Sequence, residues 1–187
     1  MATYALTRLV WKGQKIVNNI FMLGLMVPIH AAILPVLLIL RELKMTNSYQ
    51  ALIIPYSAFA LSMTIMIASS FIAGIPRELE DAACLDGCNV YQIFWYVVLP
   101  MLKPCLSTIA IFIFLQAWNE LMFALVFISD SKYRTLSVGI QTLSGSYTTD
   151  WGPIGAALVI ATFPTLIVYL FMSSKIQESM VAGSIKG

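Results

Sequence analysis

The side chains best suited to chemistry in this sequence are few, and they are grouped. Glu78, Glu80 and Asp81 stand together, followed at once by Ala82 and Ala83 and then by Gly87. Small residues beside an acid leave little more than backbone at a surface, so another protein can come close and meet the carboxylate with a cation. Such a segment reads as a knob for a groove lined with Arg or Lys. With equal weight from the residues alone, it reads as a surface helix that three acids keep solvated. A second group, Trp118, Asn119 and Glu120, sets an indole, an amide and a carboxylate side by side in an otherwise apolar stretch. His30 lies between Pro28 and Pro35, and no acid or base is near it in sequence, which suits a hydrogen-bonded or kink-filling ring better than a proton relay. Cys84, Cys88 and Cys105 have no His beside them to complete a metal site, so they read as reduced small side chains. No metal or cofactor is called for.

The elements that must hold these groups are measured by the gaps between charges. Of 187 residues 59% are apolar, while only 11 are Lys or Arg and 9 are Asp or Glu. With a mean hydropathy of +0.85 the chain falls outside the soluble globular class, in which about a quarter of residues carry charge. Disorder and a disulfide-stapled secreted domain are excluded by the high hydrophobicity and by 3 Cys in so long a chain. An all-α polytopic membrane protein remains. No Asp, Glu, Lys or Arg occurs in 16–40, 45–76, 104–119 or 151–174. A hydrocarbon core of about 30 Å takes around 20 helical residues. Four spans are predicted, at about 16–40, 50–75, 104–128 and 154–174.

With a cytoplasmic N-terminus, Arg8, Lys12, Lys15, Arg77, Lys103, Lys175 and Lys186 lie inside, while Arg41, Lys44, Lys132 and Arg134 lie outside. The inward excess favours both termini in the cytoplasm, with 41–49 and 129–153 facing outward. A net charge of +2 and no basic face with interleaved aromatics argue against a nucleic-acid partner. The first apolar stretch is too long for a signal-peptide core and reads as a retained span.

The connection 76–103 is too polar at its start for lipid and too apolar later for a free linker. It predicts two short surface helices. The first, about 77–86, has Pro76 at its first turn, acids at the positive end of its dipole, and Gly87 just past its C-terminus. The second, about Val90 to Leu99, turns Ile93, Phe94, Val97 and Val98 inward and ends at Pro100.

Asp81-Ala82-Ala83, then Gly87, then Leu99-Pro100 and Pro104, resemble the coupling-loop signature (the EAA loop) of ABC importer permeases. The wider context, IPRELEDAACLDG and LPMLKP, is similar to the carbohydrate-uptake branch and its maltose-type second permease subunit. Resemblance continues in LQAWNELMFALV (115–126), TDWG (149–152) and VAGSIKG (181–187), over essentially the whole chain. It implies a type I importer permease fold and a loop that docks into a cytoplasmic ATPase through Glu78, Glu80, Asp81, Ala82, Ala83, Leu85 and Gly87. Asp81 stands where the family most often has Glu, so its contact is tighter or Glu80 or Glu78 helps fill the role.

The implied partners are a second permease subunit, two ATPase subunits, an extracytoplasmic sugar-binding protein and membrane lipid of a bacterial cell membrane. Trp118, Asn119 and Glu120 are candidates for the sugar translocation pathway, with an interfacial Trp belt and a headgroup-reaching carboxylate as the other reading. Members of this branch usually have six spans, and ATYALTRLVWKGQK looks like the segment between their second and third. The chain is therefore expected to be an N-terminally shortened permease or a non-functional remnant. It has no GxxxxGK[ST] loop and none of the HExxH or GxSxG hydrolase motifs, so it is expected not to be an enzyme, with ATP hydrolysed by a separate chain. An ion-coupled secondary transporter using His30 and Glu120 is the competing reading, and the docking loop argues against it.

Overall fold

The computed structural model describes residues 1–144, 149 and 151–184, with 171–184 as backbone only. Asp150, Ile185, Lys186 and Gly187 of the family-like motifs and of the charge count lie outside the described residues, as does the Lys175 side chain. Eleven α-helices are described: α1 Ala2–Thr7, α2 Gln14–Met26, α3 Ile33–Glu42, α4 Gln50–Ala73, α5 Glu78–Leu85, α6 Val90–Ile93, α7 Leu99–Met101, α8 Lys103–Trp118, α9 Met122–Phe127, α10 Leu136–Thr142 and α11 Trp151–Ser184. No strand occurs among the described residues beyond one isolated bridge, Ser144 to Thr149.

Among the described residues two helices are by themselves long and apolar enough to cross a membrane, Gln50–Ala73 and Trp151–Leu170. The other two predicted spans are interrupted. Residues 16–40 divide into α2, a 3-10 turn Ile29–Ala32 and α3, with Pro28 ahead of the turn. Proline supplies no N–H and keeps the residue before it out of helical conformation, which is why the helix stops there. Residues 104–128 divide into α8 and α9 with a break at Asn119 to Leu121.

The chain forms two compact units. The first holds residues 1–26 and 60–110 and the helical turns from Ser174. Within it α2 lies close on α4, because a β-carbon on Gly24 would overlap the buried Ser62 hydroxyl. This is the small-residue approach that helices use where lipid gives no hydrophobic gain. Ile65, Ile72, Phe94, Val98, Leu102 and Cys105 are buried here, and the Tyr4 and Phe94 rings lie 5.5 Å apart. The predicted second surface helix is α6, a π-helical segment Phe94–Val98, and α7 in succession. An Asn89–Gln92 capping box starts it. Helix continues through Pro100, which stands in the first turn of α7 where its missing N–H is not needed, and the chain turns by 71° after Met101. Tyr91, Trp95 and Tyr96 are exposed on this segment, the residue types that settle at headgroup depth.

The second unit holds residues 27–59 and 111–173 around Leu40, Leu52, Phe123, Phe127, Ile128 and Val138. Asn47 ties it together from a left-handed conformation (φ 53°): its Oδ1 accepts the N–H groups of Ser129 (2.6 Å) and Asp130 (2.9 Å), and its own N–H donates to the Phe127 carbonyl.

Candidate functional site

Helix α5 carries the acidic motif, and its ends follow from its sequence. Glu78, Glu80 and Asp81 occupy its first turn, where carboxylates complement the helix dipole. At its C-terminus the Cys88 N–H bonds to the Ala83 carbonyl and the Gly87 N–H to the Cys84 carbonyl, each at 3.0 Å. That paired arrangement is a Schellman stop, and it places Gly87 at φ 84°, as its predicted role just past the helix end requires. Any other residue there would carry a left-handed strain of about 1–2 kcal/mol.

The motif's residues separate onto two sides of α5. Glu78, Asp81, Ala82 and Leu85 are exposed, Leu85 to 89%, and their spacing puts them along one helical stripe. Glu80 and Ala83 lie on the inner side, with Ala83 only 8% exposed. The three acids are therefore not equivalent. Glu80 Oε1 is 2.8 Å from Arg8 Nε, the two side chains being 13% and 8% exposed. Glu80 Oε2 accepts a 2.9 Å hydrogen bond from the Tyr4 hydroxyl. Burial, then the hydrogen bond to Glu80 and its charge, push the Tyr4 phenol up to about 12.

Arg8 does more than neutralise Glu80. Its Nη2 donates to the carbonyl of Ile72 at 2.7 Å and to that of Ile75. Ile72 lies in the last turn of α4 and Ile75 two residues past it, where a cation complements the negative end of the helix dipole, and the Ile72 carbonyl also accepts the Ile75 N–H. One guanidinium thus fastens α1, the end of α4 and the inner side of α5. Arg8 and Tyr4 are the residues that sequence reasoning missed as parts of this site. Arg8 was counted only as an inward charge, and nothing local to it points to an acid so far along the chain.

The trio Trp118, Asn119 and Glu120 lies at the break after α8, not within a continuous span. Glu120 Oε1 accepts the Phe123 N–H (2.8 Å), and Oε2 accepts the Ala124 N–H (3.2 Å) and the Tyr56 hydroxyl (2.6 Å). Its carboxylate is the cap of α9. Trp118 stacks on Phe114 and donates from Nε1 to the Ala161 carbonyl at 3.0 Å. Asn119 donates from Nδ2 to the Leu115 carbonyl at 2.8 Å and is otherwise exposed. His30 is exposed within the 3-10 turn, with no side-chain hydrogen bond among the described residues. Of the two expected settings, a bonded ring is not observed and a place in the turn between α2 and α3 is, and no hydrogen bond or ion pair among the described residues joins it to Glu120. Cys84, Cys88 and Cys105 are free, and no group of residues able to hold a metal occurs among those described.

A helical membrane component with an acidic cap-and-stripe helix outside its apolar segments is the class these features define. Residues 1–180 match the family described as the binding-protein-dependent transport system inner membrane component, and the chain belongs to that family. It is similar to the probable ABC transporter permease protein YurM of Bacillus subtilis, 37% identical over 186 residues that make up 100% of this chain and 62% of that protein. It is similar also to the trehalose/maltose transport system permease protein MalG of Thermococcus litoralis, 35% identical over 100% of this chain and 68% of that one. The chain thus spans about two thirds of the length of these relatives. Its fold is shared with a bacterial ABC transporter involved in the import of the acidic polysaccharide alginate, at a TM-score of 0.75 and 22% identity over 92% of this chain and 65% of that one.

Proposed function

We propose that this chain is a permease subunit of an ATP-driven carbohydrate importer and that the outer stripe of α5 is its docking surface for a cytoplasmic ATPase. The observation that carries the reading is the division of α5. Its inner side is secured by Arg8 and Tyr4, which leaves Asp81, Glu78, Ala82 and a nearly bare Leu85 on a helix already held in place. Exposed leucine beside acids and a small residue suits a groove with an apolar floor and a basic rim. Glu80 and Ala83 take part by holding the helix, and Gly87 by ending it. The family and the sugar-transport names of the relatives support carbohydrate as the cargo. A second permease, two ATPase subunits and an extracytoplasmic sugar-binding protein complete the proposed assembly.

The inward excess of Lys and Arg supports cytoplasmic termini and a cytoplasmic α5. Load applied to α5 by the ATPase would pass through Arg8 to the end of α4. Trp118 and Glu120 frame the proposed passage, and the exposed Asn119 is the member of that trio able to meet a passing hydroxyl.

The test uses the assembled transporter. Asp81→Lys and Leu85→Glu each reverse one property of the stripe without touching Arg8, Tyr4 or Glu80. Each should release the ATPase on co-purification while membrane insertion stays normal. An ATPase retained at the wild-type level in both variants would remove the stripe as the docking surface.

A further inference from the structure

At the end of α4 the first unit carries an open cleft of about 570 Å³ whose lining includes Arg8, Arg77, Asn18, Ser69, Leu6 and Met22. Its charged groups are both cations, and the Asn18 amide beside them can donate. Arg8 has five N–H groups, and Glu80 and the Ile72 and Ile75 carbonyls engage its Nε and Nη2, which leaves the two on Nη1. The Arg77 guanidinium and the Asn18 amide meet no side-chain partner among the described residues, and the buried Ser69 Oγ has none either. No carboxylate lines the cleft, since Glu80 is turned to Arg8 and Tyr4.

A site made of donors and cations takes an anion. The volume is many times the roughly 30 Å³ share of one water, too large for a bare ion, and Leu6 and Met22 give it apolar walls. Its depth is set by α4. A helix of 24 residues at about 1.5 Å each outruns a hydrocarbon core of about 30 Å, so its last turns, which carry Ser69, lie at headgroup level with Arg77 just beyond. We propose that this cleft is a binding site for the phosphate of an anionic phospholipid, with Arg77, Asn18 and the outer edge of Arg8 on the phosphate and Leu6 and Met22 beside the glycerol. Basic pockets between membrane helices are where such headgroups are selected.

The experiment reads bound lipid on the chain extracted from membranes in mild detergent with whatever subunits accompany it. Native mass spectrometry counts phosphatidylglycerol and phosphatidylcholine retained from nanodiscs holding both. Phosphatidylglycerol should be retained in preference. Arg77→Gln should lower that preference about fivefold, as expected for one interfacial cation at about 1 kcal/mol. Ser69→Leu should lower it as well, by narrowing the cleft wall while keeping every charge. Should Ser69→Leu not fold, Arg77→Gln decides alone, because its side chain is exposed. Equal retention of the two lipids, an unchanged preference in Arg77→Gln, or displacement by millimolar inorganic phosphate would each overturn the proposal. The readout is lipid alone, so it stands or falls separately from ATPase docking and sugar uptake.

Discussion

Replacing Arg8 by Gln isolates the contact that holds the acidic helix. The ion pair to Glu80 is 2.8 Å long with side-chain exposures of 8% and 13%, and the same guanidinium bonds two carbonyls at the end of α4. An exposed pair would contribute about 0.2–1 kcal/mol. A pair this withdrawn from water behaves differently, since removing the cation strands a carboxylate with only the Tyr4 hydroxyl, a cost of about 3–5 kcal/mol. The carbonyl bonds, about 1.5–3 kcal/mol each in isolation, share that loss and do not add to it in full. Arg8→Gln should therefore destabilise by about 3–5 kcal/mol, and adding Glu80→Gln should return about 2 kcal/mol of this by removing the stranded charge.

Chemical denaturation of the purified chain in detergent measures the cycle, and amide hydrogen exchange locates it. Exchange should rise over 78–88 and leave 122–128, which belong to the other unit, at the wild-type rate. A loss below about 1 kcal/mol, or a double variant no better than Arg8→Gln, would mean the pair is an ordinary solvated contact. The support assigned to α5 would then be wrong.

Two further outcomes follow from local geometry. Lys44 sits at φ 53° just past α3, where the Met45 N–H bonds to the Leu40 carbonyl and the Lys44 N–H to that of Arg41. Lys44→Gly should stabilise by about 0.5–1 kcal/mol, the relieved left-handed strain less the entropy of a freer unfolded chain, and a thermal melt that moves downward would contradict it. Tyr4 titrates near 12 in the folded chain against 10 ordinarily, so between these pH values the unfolded chain gives up its proton first and stability falls as pH rises. Tyr4→Phe should lose less stability than wild type from pH 10 to 12, and parallel losses in the two proteins would show that the phenol is not coupled to folding.

The helices were legible in this sequence to the extent that their limits are set by charge, proline and glycine. The uncharged stretch ahead of Pro76 contains α4, the acids and Gly87 bracket α5, and Asn89 opens α6. What could not be read was the choice among chemically similar groups. Glu78, Glu80 and Asp81 look alike along the chain, and only the arrival of Arg8 and Tyr4 from 70 or more positions away makes Glu80 the inner one. Glu120 looked like a polar group inside a span because Glu is not a residue that typically announces a helix start. The break after Trp118 is visible only once Phe123 and Ala124 are seen donating to it. The π-helical segment at Phe94–Val98 left no mark either, since its apolar spacing also suits an α-helix.

A common physical reason underlies these placements. Backbone groups freed at a helix end or break need partners, and inside a bilayer only the protein can supply them. A chain with only 20 charged residues (11 basic and 9 acidic) has few side chains for that work. Arg8 takes the carbonyls ending α4, Glu120 the amides opening α9, and Asn47 the amides of Ser129 and Asp130. Once these are committed, the charged groups around α5 left without such duties among the described residues include Glu78 and Asp81 on its outer stripe, Asp86 at its end and Arg77 at the cleft. The partners proposed for this part of the molecule draw on residues of that group: Glu78 and Asp81 toward a basic protein groove, and the Arg77 guanidinium toward a lipid phosphate.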